Sequence, residues 1–219
     1  MRLRPGAADL PGQAARNSQL SLAAARLYVI TPDAPADRVV EIAVAAQRGG
    51  ADVIQLRHKT LARGELLTLA RTLRGLITRA LFIVNDHADI ALLSEADGVH
   101  LGPDDLSPKS ARKVAGDRLL IGVSASAAGG VPPDADYAGC GPAFATPLKP
   151  HKGVIGPAGV AALASRIGVP VFAIGGVDET NVGQLTALGV HRICVIRAVG
   201  DAADPEAATR RLRGMLDSA

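Results

Sequence analysis

The chain has 219 residues, 48% of them hydrophobic and 21% charged, which is typical of a folded globular domain and not of a disordered segment. Its formal net charge is only +3, and two tyrosines and three phenylalanines are its aromatic residues, with no tryptophan. This composition argues against nucleic-acid binding, which needs a basic surface and stacking side chains. No run of about 18 apolar residues occurs, so no membrane-spanning helix is expected.

The first 24 residues are rich in proline, glycine and polar residues and lack the apolar stretch of a signal peptide. We expect a flexible, disordered extension over residues 1–24 and one folded domain over residues 25–219. Cys140 and Cys194 lie in apolar segments without a Cys-x-x-Cys spacing. They predict buried thiols in a reducing compartment, and therefore a cytoplasmic protein.

Short apolar segments alternate with amphipathic ones along the rest of the chain, which predicts parallel strands covered by helices. Strands are expected at residues 26–31, 53–57, 81–85, 98–101, 119–124, 137–141, 171–174 and 192–195. Helices are expected at residues 37–48, 63–79, 86–95, 108–115, 157–166, 179–188 and 205–216. Between the fifth and sixth strands, residues 125–136 contain Gly-Gly and Pro-Pro, which predicts a shortened fifth helix, a loop or one turn.

Eight such units in one domain predict an α/β fold of the (β/α)8 TIM-barrel class. The alternative is an open, doubly wound sheet. It is weaker because no Gly-x-Gly-x-x-Gly motif follows the first strand.

Polar side chains cluster where the predicted strands end. In a barrel, the carboxyl ends of the strands meet on one face, which carries the active site. That face would contain Thr31, Asp33, Gln55, Arg57, Lys59, Asn85, Asp86, Asp104, Asp105, Ser124, Thr146, Lys149, Lys152 and Arg197. Carboxylates that hold a metal and cations that hold anionic oxygens together suit a magnesium-bound phosphate ester.

Gln55, Arg57 and Lys59 alternate along the second strand and its extension, so they point to one side. Phosphate or pyrophosphate binding is the favoured interpretation, and an ion pair inside the barrel is the alternative. His58 would face the other way, towards the outer layer. His100 lies inside a strand and is expected to be a core histidine, and the five histidines show no zinc-ligand spacing.

Asp86 and Asp105 follow adjacent strands, where two carboxylates could share a magnesium ion. Spacing alone leaves an equal alternative, in which Asp86 or Asn85 caps the next helix and Asp104 caps the one after it. Gly175-Gly176 and Ile196-Arg197 follow the seventh and eighth strands, the usual phosphate site of such barrels. Residues 141–156 form a long polar loop that we expect to be a lid over an anionic ligand. No Ser–His–Asp or Cys–His nucleophile is evident.

Eight motifs, in order along the chain, carry a resemblance to a known family. They are LYVITPD, GGADVIQLRHK, FIVNDHADIAL, ADGVHLGPDDL, IGVSAS, GCGPAFATPLKPHKG, FAIGGV and VIRAV. Together they resemble the thiamine phosphate synthase family from about Leu27 to the C-terminus. The resemblance implies a (β/α)8 barrel that condenses 4-amino-2-methyl-5-hydroxymethylpyrimidine diphosphate with thiazole phosphate, using Mg²⁺, to give thiamine phosphate and pyrophosphate.

The resemblance also implies roles for individual residues. The pyrimidine diphosphate would be held by Gln55, Leu56, Arg57, His58, Lys59, Asn85, Ser124 and Lys149, of which Arg57, Lys59, Ser124 and Lys149 would be catalytic. The thiazole phosphate would be held by Thr146, Pro147, Leu148, Gly176, Ile196 and Arg197. Mg²⁺ would be bound by Asp86 and Asp105. The partners implied are small phosphorylated substrates, without nucleic acid or membrane, and a homo-oligomer stays open.

Three positions depart from the family pattern: Pro103 replaces a usual glutamine, Ser126 a usual histidine and Leu148 a usual threonine of the lid. A related thiazole tautomerase, which typically has a catalytic histidine where Pro142 stands, is one alternative. A sensor or carrier of thiamine precursors without catalysis is another. The presence of Lys59, Asn85, Asp86, Asp105 and Lys149 favours the synthase.

Overall fold

The computed structural model describes residues 21–125, 130–147 and 153–218. Eight parallel strands form a closed barrel in chain order, in which the first strand pairs with the eighth. The strands are β1 Leu27–Ile30, β2 Val53–Leu56, β3 Leu81–Asn85, β4 Gly98–Leu101, β5 Leu120–Ala125, β6 Tyr137–Cys140, β7 Val171–Ile174 and β8 Ile193–Val195. The predicted (β/α)8 barrel is therefore confirmed.

Helices surround the barrel. Seven of them follow the order expected from the sequence, and the short helix Arg197–Gly200 is an addition to those expected. They are α1 Ala36–Arg48, α2 Arg63–Leu76, α3 Ala88–Leu93, α4 Pro108–Ala115, α5 Gly156–Ala164, α6 Val182–Thr186, α7 Arg197–Gly200 and α8 Pro205–Asp217. A 3₁₀ turn, Gly116–Arg118, follows α4. In the connection between β5 and β6, the described residues 130–136 form a turn and no helix, as the Gly-Gly and Pro-Pro pairs predict.

Two hydrophobic layers hold the fold together. The outer layer lies between the barrel and the helices. The inner layer fills the barrel and contains three of the five Tyr and Phe side chains, Tyr28, Tyr137 and Phe172, with ring centroids 5.3 to 6.0 Å apart. Gly122 on β5 makes room for them, because a Cβ there would lie 2.0 Å from the Tyr137 ring.

The described segment that precedes β1 is short. Residues 1–20 of the predicted extension lie outside the described residues. Residues 21–25 form a turn in which the backbone N–H of Ala25 donates to the Ser21 carbonyl, and the Leu22 side chain packs against the inner layer. Within the described part of the chain, no helix is long and apolar enough to cross a membrane.

Four helices are shorter than predicted. Those expected at 86–95 and 157–166 span Ala88–Leu93 and Gly156–Ala164, and side chains explain the other two. The helix expected at 179–188 begins only at Val182, because the Asp178 carboxylate accepts hydrogen bonds from Thr180 and the Asn181 side chain accepts one from the Asp178 backbone. The helix expected at 63–79 ends at Leu76. There, Gln47 Oε1 of α1 accepts hydrogen bonds from the backbone N–H groups of residues 78 and 79, with N–O distances of 2.6 and 2.7 Å.

Candidate active site

The carboxyl ends of the strands surround a cavity of about 390 Å³. Its floor is formed by inner-layer side chains from β1, β2 and β6, and its rim by the loops that follow β6, β7 and β8. A concave site with an apolar body and a few polar groups at the top of a barrel is the usual place for ligand binding and catalysis.

Three polar side chains meet at the cavity floor. Gln55 Nε2 donates to the Tyr28 hydroxyl at 2.7 Å, and the Tyr28 and Tyr137 hydroxyls lie 2.9 Å apart. Burial raises the pKa of Tyr28 and of Tyr137 well above the ordinary value, so both phenols are neutral. Among the described residues, Gln55 Oε1 has no hydrogen-bond partner, which leaves an acceptor for a ligand N–H group at the floor.

His100 is part of the cavity wall, contrary to the prediction that it is a core histidine. Its side chain faces the barrel interior from β4, and its Nε2 lies 3.2 Å from the Ser124 hydroxyl. Its ring centroid is 5.6 Å from that of Tyr137. The sequence signal was available, because His100 and Ser124 alternate into the barrel on adjacent strands, but a single strand histidine does not reveal which face is hollow.

The loop after β2 carries Arg57 and Lys59 and is attached to the loop after β1. The Arg57 backbone N–H donates to Thr31 Oγ1 at 3.1 Å, and the Lys59 backbone N–H donates to Asp33 at 2.8 Å. The His58 side chain turns away from the cavity, as predicted, and its Nε2 lies 3.0 Å from the Ala34 carbonyl. These contacts place two cations at the carboxyl end of β2, beside the cavity.

The carboxyl groups of Asp86 and Asp105 form a pair at the ends of β3 and β4. Each carboxyl group lies close enough to shift the pKa of the other, and Lys59 Nζ lies 2.5 Å from Asp86 Oδ2. Burial would raise the pKa of Asp86, but the Lys59 ammonium and Asp105 lower it overall. Burial and the neighbouring Asp86 raise the pKa of Asp105.

Neither member of this pair caps a helix. The N-cap of α3 is His87, without a side-chain cap bond, and the N-cap of α4 is Ser107, whose hydroxyl accepts the N–H of Ser110. Asp86 instead adopts a left-handed backbone conformation with φ of 65°, which is uncommon for a residue with a side chain. Because the N-cap of α3 is His87, the capping alternative is wrong for Asp86.

The residues at this point fit a magnesium ion. The two carboxyl groups lie side by side, and the charge of Asp86 makes ionisation of Asp105 less favourable unless a cation is present. They offer hard oxygen ligands, and Mg²⁺ usually takes one or two carboxylates together with water and substrate phosphate. Among the described residues, no group of three or more His, Cys, Asp or Glu side chains suits a metal. Asp86 and Asp105 thus fit an ion shared with a phosphorylated ligand and not an all-protein metal cage.

The opposite side of the cavity is built from glycine and backbone. Gly175 and Gly176 have φ of 98° and 64°, and a Cβ on Gly176 would lie 2.4 Å from the Ala145 carbonyl oxygen. Asn181 Nδ2 fixes this turn by donating to the Gly176 carbonyl at 2.8 Å. The exposed Arg197 guanidinium faces the same space and pairs with Asp201 at 2.7 Å.

The structure brings most of the predicted site residues together, in two groups. The cavity itself is lined by Gln55, Ser124, Thr146, Pro147, Gly176, Ile196 and Arg197. The strand ends beside it carry Arg57, Lys59, Asn85, Asp86 and Asp105. The Leu56 side chain packs in the outer layer, so its backbone alone is available to a ligand. Leu148, Lys149 and Lys152 of the predicted lid, and Ser126, lie outside the described residues.

Comparison with known proteins gives a consistent result. A family model described as thiamine monophosphate synthase matches residues 27–199. The thiamine-phosphate synthase of Thermobifida fusca is 45% identical over 209 residues, covering 90% of this chain and 95% of the relative. That of Chlorobium phaeobacteroides is 42% identical over 197 residues, covering 87% and 95%. The chain spans only 56% and 55% of the length of the relatives from Thermosynechococcus vestitus and Gloeobacter violaceus, each 44% identical.

Solved structures agree. Thiamine phosphate pyrophosphorylase from Pyrococcus furiosus superposes with a TM-score of 0.78 at 35% identity, covering 93% of this chain and 98% of that one. A 3-hexulose-6-phosphate synthase superposes with a TM-score of 0.68 at 20% identity, which shows the shared barrel fold alone. Because the family model matches most of the barrel and the full-length relatives share more than two-fifths of their residues with it, the chain belongs to the thiamine monophosphate synthase family.

Proposed function

We propose that this protein condenses 4-amino-2-methyl-5-hydroxymethylpyrimidine diphosphate with thiazole phosphate to give thiamine phosphate and pyrophosphate. The observation that carries the proposal is the position of two groups of polar residues at the carboxyl ends of different strands. Lys59, Asp86 and Asp105 follow β2, β3 and β4 beside the cavity, and Gly176 and Arg197, which line the cavity, follow β7 and β8. Such an arrangement suits two phosphorylated substrates whose reacting ends meet in the middle.

The chemistry needs no protein nucleophile. The bond between the pyrimidine methylene carbon and the diphosphate oxygen breaks, and its electron pair leaves with the diphosphate. The electron-rich aminopyrimidine stabilises the methylene cation until the thiazole nitrogen attacks it and forms the new C–N bond. The site must therefore hold both substrates in line and stabilise the negative charge that develops on the leaving group.

Residues of this chain would share these tasks. Arg57 and Lys59 would bind the diphosphate oxygens, and Lys149 would join them from the lid. Asp86 and Asp105 would hold Mg²⁺, which when bound neutralises charge on the leaving diphosphate. At the floor, the free Gln55 Oε1 would accept a hydrogen bond from the pyrimidine amino group, and Ser124 would lie beside the ring.

Asn85 would join the residues that bind the pyrimidine diphosphate. On the other side of the cavity, the thiazole phosphate would be held by Thr146, Pro147, Leu148, Gly176, Ile196 and Arg197. The two free, buried cysteines support a reducing compartment, and therefore the cytoplasm, as the place of action. Neither alternative function gains support: Pro142 lines the cavity but cannot transfer a proton as a tautomerase histidine would, and a sensor has no need of the carboxylate pair.

The experiment that tests the proposal measures pyrophosphate release when the protein is mixed with both substrates and Mg²⁺. Single-substrate and EDTA controls accompany it. We expect release only when both substrates and the metal are present, with thiamine phosphate formed in equal amount. Absence of release together with tight binding of thiazole phosphate would overturn the proposal in favour of an isomerase or a binding protein.

A matched pair of variants tests the metal site. Asp86→Ala removes one carboxyl of the pair, whereas Asp104→Ala removes a neighbouring exposed carboxylate outside the pair. We expect Asp86→Ala to abolish turnover and Asp104→Ala to retain it. Equal activity of both variants would contradict the assignment of Asp86.

A further inference from the structure

Arg57 and Lys59 lie in an irregular loop beside the cavity. Because this loop lacks the backbone hydrogen bonds of a helix or strand, other contacts must hold the two side chains in place. Strand β2 ends at Leu56 and helix α2 begins at Arg63, and the residues between them form bends and coil. A loop without ladder or helix bonds takes its conformation from the side chains that satisfy its backbone. The question is which side chain does this for residues 57–59.

One carboxylate contacts all three of these residues. Asp33 Oδ1 accepts the Lys59 backbone N–H at 2.8 Å and lies 3.1 Å from His58 Nδ1. Asp33 Oδ2 lies 3.4 Å from Arg57 Nη1. Asp33 itself follows β1, on the neighbouring loop, so a single side chain ties the ends of two adjacent strands together.

The contacts of Asp33 lead directly to the rest of the site. From the backbone position that Asp33 fixes, the Lys59 side chain extends to Asp86 at 2.5 Å. The Arg57 guanidinium is held at Nη1 by Asp33 Oδ2, which limits the directions in which its remaining N–H donors can point. Both cations that would bind a diphosphate thus depend on the same carboxylate.

A carboxylate here has an electrostatic cost for anion binding. Asp33 is about one-third exposed and stands beside the two cations, where its charge opposes that of a bound diphosphate. Its presence is therefore unfavourable for binding unless the order it imposes on Arg57 and Lys59 outweighs the repulsion. Side chains that are already ordered in the free protein lose less conformational entropy when the ligand binds.

We infer that Asp33 is a positioning residue, which sets the Arg57 and Lys59 side chains for the diphosphate of the pyrimidine substrate. The inference rests on the proposed function. Thr31 and Ala34 hold the same loop through Arg57 and His58, so the loop retains two of its attachments when the Asp33 carboxylate is removed. Removal of the carboxylate alone should then loosen the two cations without unfolding the barrel.

The test is a steady-state comparison of Asp33→Ala with the wild-type protein, with each substrate varied in turn at saturating Mg²⁺. We expect KM for the pyrimidine diphosphate to rise about tenfold, as for the loss of charge-assisted hydrogen bonds, and kcat to fall. KM for the thiazole phosphate should stay within about twofold, because the contacts of Asp33 with other described residues do not reach that side. Calorimetry with inorganic pyrophosphate should show the same weakening.

Two further variants separate positioning from folding. Asp33→Asn keeps an oxygen for the Lys59 N–H but loses the charge, and we expect its KM to lie between those of the wild type and Asp33→Ala. Asp136→Ala removes a similar carboxylate, bonded to a backbone N–H and to Arg112, at the other end of the barrel. It should lower Tm and leave both KM values unchanged.

The outcomes are distinguishable. A wild-type protein that releases no pyrophosphate overturns the proposed function. An active wild type whose Asp33→Ala variant keeps its KM for the pyrimidine diphosphate, or loses affinity for both substrates equally, overturns the positioning role alone. A rise confined to the diphosphate side, partly reversed in Asp33→Asn, supports it.

Discussion

At the cavity floor, Tyr28 has two hydrogen-bonding tasks and Tyr137 has one. The Tyr28 hydroxyl accepts the Gln55 amide N–H and is bonded to the Tyr137 hydroxyl. This arrangement decides which end of the Gln55 amide is left for a ligand. With Nε2 engaged by the phenol, Oε1 is the atom presented to the cavity, so the floor selects a donor and not an acceptor.

The two tyrosines should therefore differ when each loses its hydroxyl. Tyr28→Phe leaves the buried Gln55 Nε2 without its acceptor, which costs about 1–3 kcal/mol in the free energy of unfolding. Tyr137→Phe removes one bond and leaves Gln55 satisfied, so its loss should be about 1 kcal/mol or less. Urea denaturation of both variants measures the difference. A larger loss for Tyr137→Phe than for Tyr28→Phe would contradict this description of the floor.

The Asp86–Asp105 pair yields a prediction on pH and metal. A carboxyl whose pKa is raised in the folded state disfavours folding above that pKa, and the penalty fades as the pH falls below it. Asp105→Asn removes this penalty and keeps an oxygen for the Gly102 N–H, which Asp105 accepts at 2.7 Å. In EDTA at neutral pH, its Tm should equal or exceed that of the wild type.

The same variant should lose its response to Mg²⁺. The metal stabilises only the state that binds it, so wild-type Tm should rise with added Mg²⁺ and inorganic pyrophosphate, and Asp105→Asn should show little or no rise. Below the pKa of Asp105, the advantage of the variant in EDTA should disappear. A full Mg²⁺-dependent rise in the variant would place the metal elsewhere.

At the scale of elements, three strands are each preceded by an aspartate that makes the same set of contacts, at the end of the barrel opposite the cavity. Asp52, Asp97 and Asp136 immediately precede β2, β4 and β6. Each carboxylate accepts the backbone N–H at the start of the preceding strand and pairs with an arginine of a surrounding helix: Asp52 with Arg213 of α8, Asp97 with Arg74 of α2 and Asp136 with Arg112 of α4. These contacts thus tie strands to each other and to the helical layer.

The aspartate–arginine pairs differ in burial, and the more deeply buried pair should contribute more to the free energy of unfolding. The Asp97 and Arg74 side chains are 10% and 12% exposed, whereas Asp136 is 36% exposed. Asp97→Ala leaves a buried arginine and a strand N–H unsatisfied, so it should lose about 3 kcal/mol in the free energy of unfolding. Asp136→Ala should lose about 1 kcal/mol, because water replaces part of its contacts. Denaturation of both variants, with unchanged KM values, tests this order, and equal losses would count against it.

The elements that the sequence predicted well are those defined by burial. Each strand is a run of apolar residues covered on both faces, so its position can be recognised without knowledge of its neighbours. The helix ends at Leu76 and Val182 depend on the side chains of Gln47, Asp178 and Asn181, which compete for backbone groups. Periodicity does not contain this information, because one of these side chains comes from a different helix.

The site was predictable to a similar degree and for a similar reason. Strand ends meet on one face of any barrel, so the polar residues that follow the strands could be grouped from order alone. The role of Tyr28, Tyr137 and His100 in the cavity could not, because apolar and aromatic side chains inside a barrel look the same whether they fill it or leave a hollow. Their packing volumes, and not their pattern, decide this.

For the whole molecule, closure of the barrel is the decisive property. Strand β1 pairs with β8 as regularly as with β2, so the sheet has no free edge from which opening could begin. Cys140 on β6 and Cys194 on β8 are both free and buried, and burial raises the pKa of each thiol. The Cys140 side chain packs in the outer layer, whereas Cys194 faces the barrel interior and lines the cavity, so the two thiols report on different events.

We expect Cys140 to react with an aromatic disulfide reagent in a slow phase, because its side chain packs between the barrel and the helices and is exposed only when the fold opens. Cys194 lines the cavity, so the reagent can reach it without separation of the sheet, and we expect it to react faster. Inorganic pyrophosphate with Mg²⁺ should slow the reaction of Cys140, because a ligand of the folded state raises the free energy of global opening. A stopped-flow or manual time course with mass-spectrometric assignment of the labelled residue measures this. Rapid reaction of Cys140 would show that the outer layer opens locally beside β6.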